Sequence, residues 1–170
     1  MRNKLLVCVG LLAACGEDLD GPDLSGVYQV TTAVESDADC NPTTPIEMPD
    51  PYFILESKEL FGHTYFHHAG CPTADPASCE EFGSLGPLDS GFDGGWEGGL
   101  GFAVGSMPPC TLGYSYGSAT VIDDTTVQVE DRSYIAEDQP TCDANEATER
   151  GTSLPCVSSK RWVGTRVADI

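Results

Sequence analysis

Residues 111–135 read TLGYSYGSATVIDDTTVQVEDRSYI, two runs rich in β-branched and aromatic side chains on either side of Asp123-Asp124. Alternating apolar and polar positions around a short acidic break form the pattern of a β-hairpin, whose successive side chains point to opposite faces. With Asp123-Asp124 as the two-residue turn, Ile122 pairs with Thr125. That register puts Leu112, Tyr114, Tyr116 and Ile122 on one face with Val127, Val129 and Ile135, while Gln128, Glu130 and Arg132 share the other. One face is then dry and one wet, as in an antiparallel sheet covered on one side.

The same composition recurs outward from the hairpin. Residues 26–34, 52–56, 60–68, 96–104 and 157–167 are further strands, separated by Pro, Gly, Asn and Asp. The segment DANEATER, 143–150, is the one helix: Asp143 caps it, Glu146 stands three residues on as a capping-box partner, and Gly151 stops it. Residues 42–51 carry four prolines and form a surface loop, and 72–78 form another. The expected fold is mainly β: an antiparallel up-and-down barrel or a sandwich, with one short helix near 143–150.

Composition bounds the partners. The 170 residues include 27 acidic and 8 basic side chains, for a net charge of −19, and 40% are hydrophobic. That is one domain with enough apolar material for a core. Phosphate binding needs clustered Lys and Arg, so nucleic acid is excluded as a partner.

The first fifteen residues set the address. Arg2 and Lys4 are followed by an apolar run over 5–12 that is too short to span a bilayer but suits a signal peptide. Leu12-Ala13-Ala14-Cys15, with Gly16 after it, resembles the lipobox of bacterial lipoproteins. The resemblance implies cleavage before Cys15 and fatty acylation of that cysteine. It also implies anchoring by two or three chains at about 0.8 kcal/mol per buried methylene, which is stable where a single chain is marginal. The expected organisation is a signal peptide over 1–14, a lipidated polar tether over 15–23 and a single β domain over 24–170. The processed chain keeps all 27 acidic side chains but loses Arg2 and Lys4. Gly16 in place of an aspartate implies, on the same resemblance, the outer membrane rather than the inner one, with the body facing the periplasm or the cell surface.

Once Cys8 has left with the signal peptide and Cys15 has been acylated, six cysteines remain: Cys40, Cys71, Cys79, Cys110, Cys142 and Cys156. An even number in an exported domain points to three disulfides. The pairing expected from loop spacing is Cys71 with Cys79, Cys142 with Cys156 and Cys40 with Cys110. No Cys-x-x-Cys pair is present to favour zinc.

Two fainter resemblances bear on function. Ser25-Gly26-Val27-Tyr28 resembles the Gly-x-Trp start of the first strand in lipocalins and related calycin barrels, with tyrosine in place of tryptophan. Arg161 or Arg166 on the last strand is similar to the arginine that packs across that aromatic in the family. This resemblance implies a lipocalin-like barrel that carries a small hydrophobic ligand, its cavity lined by residues such as Tyr28, Trp96, Tyr114 and Tyr116. The lipobox, the Gly-x-Tyr strand and the cysteines bracketing the helix also resemble short cysteine-containing bacterial lipoproteins, a likeness that implies no activity.

Catalytic patterns do not emerge. Gly113-Tyr114-Ser115-Tyr116-Gly117 has the Gly-x-Ser-x-Gly spacing, but it lies inside a hairpin strand and not at the strand-to-helix turn of a nucleophile elbow, and the cysteines serve better as bridges or lipid sites than as nucleophiles. His63 and His67 are the weak metal candidates, but on a strand they lie about 13 Å apart, with His68 on the opposite face. The glycine-rich stretch 91–101 lacks the lysine of a phosphate loop and reads as a turn entering a strand that carries Trp96. The reading is a non-enzymatic, lipid-anchored structural or interaction module without a cofactor. A small-ligand carrier is the alternative.

Overall fold

In the computed structural model of the chain, residues 21–60, 63–80, 88–105 and 107–170 are described. The signal-peptide and lipidation readings, Cys15 included, lie outside these residues. Nine strands form one antiparallel sheet: β1 (Gly26–Ser36), β2 (Thr44–Pro45), β3 (Tyr52–Leu60), β4 (His63–Cys71), β5 (Ser90–Phe92), β6 (Gly95–Val104), β7 (Cys110–Asp123), β8 (Thr126–Gln139) and β9 (Cys156–Ala168). Their order is β4-β3-β1-β9-β8-β7-β6-β5, with β2 paired to β1 outside this path. Apart from β2, neighbours in the sheet are neighbours in sequence, and β9 returns to lie beside β1. This is the expected up-and-down antiparallel architecture.

The ladder stops short of closure between β4 and β5. There Phe66 and Leu88 exchange two backbone hydrogen bonds of 3.0 and 3.1 Å, a single antiparallel bridge across the seam. Phe66 of β4 and Trp96 of β6 meet with ring centroids 5.1 Å apart, so the sheet is curled with these side chains inside. Every strand but β2 and β5 contributes to the inner cluster, which includes Tyr28, Phe53, Leu55, Val129 and Trp162. The proline-rich loop does more than cover the surface. Its β2 pairs with Val34 and Glu35, and Ile46 and Met48 behind it pack on this core.

The central hairpin forms one residue out of the expected register. Val121 pairs with Val127 and Asp123 with Thr126, so the turn is Asp124-Thr125 and Ile122 bulges out of the ladder, 54% exposed. Asp123 is not in the turn because its carboxylate holds it from the flank, accepting from Thr125 N at 2.9 Å and Thr125 Oγ1 at 3.1 Å. A slip of one residue exchanges every side chain across the sheet. Tyr114 and Tyr116 therefore share a face with Tyr134, Arg132 and Glu130, and Val127 and Val129 turn inward with Ala119.

Helix α1 (Ala144–Arg150) starts and stops where expected. Asp143 accepts from Asn145 N at 2.8 Å, and Gly151 ends the helix at φ +47°, a conformation glycine adopts without steric cost. Glu146 Oε2 accepts a hydrogen bond from the Thr141 hydroxyl in place of the reciprocal capping bond. The helix lies on the outer face over Gly101, where any Cβ would run into Thr148 and the Ala144 carbonyl. A second cluster forms outside the sheet beside it, where Tyr134, Ala136 and Leu154 pack with Tyr114 and Tyr116.

Cys40–Cys156 and Cys110–Cys142 sit at one end of the sheet, whereas Cys71–Cys79 packs in the cluster of Val27, Ile54 and Ala168. Cys71–Cys79 forms as expected, but the others are Cys40–Cys156 and Cys110–Cys142 instead of Cys40–Cys110 and Cys142–Cys156. The sheet order explains the exchange. Ser36 of β1 pairs with Ser159 of β9, which brings Cys40 beside Cys156, and Cys110 pairs with Gln139 at the end of β8, three residues before Cys142. For these two bonds, neighbours across the ladder win over neighbours along the chain.

Candidate functional site

At the end opposite Cys40–Cys156 and Cys110–Cys142, the chain closes the sheet with its own entry segment. Leu24 is buried, Tyr28 Oη donates to the Leu24 carbonyl at 2.8 Å, and Trp96 Nε1 donates to the Pro22 carbonyl at 2.7 Å. Arg166 lies over Tyr28, with its guanidinium carbon 5.5 Å from the ring centroid and Nη2 donating to Tyr28 Oη at 2.9 Å. Of the two arginines expected across this ring, Arg166 makes the contact, while Arg161 reaches Glu130 on the outer face at 3.6 Å. Burial pushes the Tyr28 hydroxyl up from its ordinary value, against the opposing pull of Arg166.

Above this closure the interior is occupied by rings. Tyr28 stacks on Phe53 with centroids 5.2 Å apart, and Phe53 lies 5.4 Å from His68 and 6.5 Å from Trp162. Gly164 makes this possible, because a Cβ there would strike Phe53 and the Tyr28 Cβ. His68 and Trp162 face each other at 5.2 Å and are 5% and 3% exposed. Both ring nitrogens of His68 and Nε1 of Trp162 are buried without a hydrogen-bond partner among the described residues. Burial, and then the adjacent His67, drive the His68 imidazole down to about 4, so it is neutral at pH 7.

The four expected cavity residues divide between the two faces. Tyr28 and Trp96 belong to the inner cluster, but Tyr114 and Tyr116 point outward because their partners Gly101 and Gly99 lie on the face opposite Trp96. Tyr116 Oη donates to Glu97 Oε2 at 2.5 Å, and Arg132 covers the Tyr116 ring at 5.8 Å. Burial, followed by the Glu97 carboxylate, raises the Tyr116 hydroxyl well above its ordinary range. Glu130, only 8% exposed, is held between Arg132 and Arg161. A shallow cleft of about 180 Å³ runs past Asp89, Glu97, Tyr114 and Tyr116.

Toward the disulfide end the inner face turns polar. Asp131, Ser133, Ser158, Lys160 and Glu35 border a cavity of about 200 Å³, and burial raises the Asp131 carboxyl above its ordinary value despite Lys160. Of the histidines, His67 is half-buried opposite Glu56, and His63 lies on β4 with its side chain outside what is described. Among the described residues no group of three His, Cys, Asp or Glu side chains is placed to hold a metal ion. The sequence placed His68 on the face opposite His63 and His67 but gave neither it nor Trp162 a role in the ring cluster. Their only signal was position, since each falls on the inward parity of its strand.

No family model, no curated protein and no solved structure matches this chain. Its class therefore rests on its own geometry: a curled antiparallel meander stapled by three disulfides. Those bonds indicate an oxidising, extracytoplasmic environment. Among the described residues, no helix is long and apolar enough to cross a membrane.

Proposed function

We propose that the protein is a non-enzymatic interaction module of the bacterial cell envelope, anchored by lipid on Cys15 and more strongly matched to the outer than to the inner membrane. The observation that carries this reading is the polarity of the body. Residues 21–24 dock at one end, against Trp96 and beside Tyr28, while the loops tied by Cys40–Cys156 and Cys110–Cys142 lie at the other. A tether leaving the first end holds the second away from the bilayer, where Val104 and Met107 are exposed for contact. The lipobox and the oxidising environment support the same address. The test is mass spectrometry of the detergent-extracted protein with fractionation of Cys15→Ser. The expected result is a diacylglyceryl mass on the Cys15 peptide and release of the variant into the soluble fraction. A free thiol at Cys15 overturns the anchor.

The second reading, a lipocalin-like carrier of a small hydrophobic ligand, is favoured by the Arg166–Tyr28 contact. The two separate on uptake of an anilinonaphthalene dye. A carrier takes up one molecule per chain with quenching of Trp96 and Trp162, whereas the ring-filled interior of a surface module takes up none.

A further inference from the structure

The outer cleft of about 180 Å³ beside β5 belongs neither to the ring-filled interior nor to the lipid anchor. It is open because glycine stands where a side chain would fill it. Gly99 pairs with Tyr116, and a Cβ there would run into the hydroxyl end of Tyr114, so both rings border a floor of bare backbone at Gly98 and Gly99. Glu97, on the same face of β6 as Gly99, and Asp89, just before β5, bring two carboxylates to the rim. Among the described residues no Lys, Arg or His lines the cleft. Its negative charge is felt by the rings: burial first, then Glu97 and Asp89, raise the Tyr114 hydroxyl above its ordinary value. Tyr116 Oη donates to Glu97 Oε2, which holds that carboxylate beside the ring. From the other side Arg132, the β8 partner of Tyr116, already lies over this ring at 5.8 Å. The β6 side offers the same ring and a second one, with two carboxylates and no cation of its own. Ring faces and carboxylates both attract positive charge, and the net charge of −19 draws cations toward the surface.

We propose that this cleft binds one primary ammonium group on a short alkyl stem, its N–H donors going to the Glu97 and Asp89 carboxylates and its first methylenes resting against Tyr114 and Tyr116. A quaternary head would meet the rings but has no N–H for the carboxylates, and an anion would be repelled by both. The cleft is smaller than the roughly 300–1,000 Å³ of drug-sized sites, so the guest is a head group and a few carbons. A free alkylamine and a lysine side chain of another protein supply the same chemistry. Only the lysine source rests on the reading of the body as an interaction module.

The test is NMR on the purified, disulfide-intact protein with 13C-labelled tyrosine rings, at neutral pH and constant ionic strength. The probes are n-butylamine, its uncharged counterpart 1-butanol, and Nα-acetyl-lysine N-methylamide. The inner Tyr28 ring, stacked on Phe53, is the control for folding. The amines should shift the Tyr114 and Tyr116 rings saturably, with one molecule per chain, and leave Tyr28 in place, while 1-butanol moves none of them. Glu97→Gln keeps an acceptor for Tyr116 but should weaken amine binding about tenfold or more. Tighter binding of the lysine derivative than of n-butylamine assigns the site to a lysine side chain of a partner, and equal or weaker binding assigns it to a free amine. Rings that respond saturably to neither amine, that respond equally to 1-butanol, or that bind amine as tightly in Glu97→Gln overturn the proposal. None of these outcomes alters the mass on Cys15 or the fractionation of its variant, so the anchor stands or falls separately.

Discussion

Lowering the pH from 7 to 4.5 should destabilise the fold through His68, and replacing His68 with phenylalanine should remove that sensitivity. In the unfolded chain the imidazole takes up its proton near 6.5, whereas burial in the ring cluster lowers this to about 4 in the folded state. Between these two values the unfolded chain binds the proton and the folded protein does not. Stability contributed by the neutral ring is therefore complete above 6.5 and falls as the pH drops toward 4. The difference corresponds to about 3 kcal/mol over the whole window, at roughly 1.4 kcal/mol for each tenfold change in affinity. This is a substantial part of the margin of a small domain. His67, also depressed by burial, adds in the same direction, while Asp131, raised by burial, acts in the opposite one. The assay is urea denaturation with the disulfides intact, comparing wild type and His68→Phe at pH 7 and 4.5, because the background carboxylates cancel in the difference. The two proteins should converge in their pH dependence only if His68 is not its source, so parallel curves would refute the reasoning.

Arg166→Met should cost about 1–2 kcal/mol in thermal or urea unfolding, since it removes the cation over Tyr28 and the donor to its hydroxyl, and Arg166→Lys should restore only part of this. Among paired Cys→Ser variants, loss of Cys40–Cys156, which closes a loop across 116 residues, should cost about 5 kcal/mol, and loss of the 8-residue Cys71–Cys79 loop about half that; equal losses in urea titrations would contradict the loop argument. Gly164→Ala should cost about 1–3 kcal/mol because the new methyl enters the Phe53–Tyr28 contact, and an unchanged melting temperature would show that the pair can yield. Asp143→Ala should lower stability by about 1 kcal/mol through the lost cap of α1, measured in the same way.

The strands and the helix were legible because their signals are local. β1, β6, β9 and α1 all fall within two residues of their sequence positions, since alternation, glycine punctuation and an aspartate cap act over a few residues. The hairpin register was not, because the carboxylate of Asp123 is worth more capping Thr125 from outside the turn than occupying it, and one bulge at Ile122 redirects Tyr114 and Tyr116 to the outer face. The disulfide pairing failed for a related reason. Spacing along the chain favoured Cys142 with Cys156, but the return of β9 beside β1 is a long-range event that no local pattern encodes. His68, read only as lying on the face opposite His63 and His67, and Trp162 look like any other core positions in an alternating strand until the fold packs them against each other.

The pairing of Val27 with Ala168 places the start of the first long strand and the end of the last one side by side. A short linker joining residues 168 and 26 would therefore bridge adjacent rungs, and the chain could be cut anew at the exposed Asp124-Thr125 turn with every rung retained. Such a circular permutant would carry its new termini at the same end of the molecule, with the cystine-tied loops untouched. The order in which the strands are connected is thus separable from the order in which they lie.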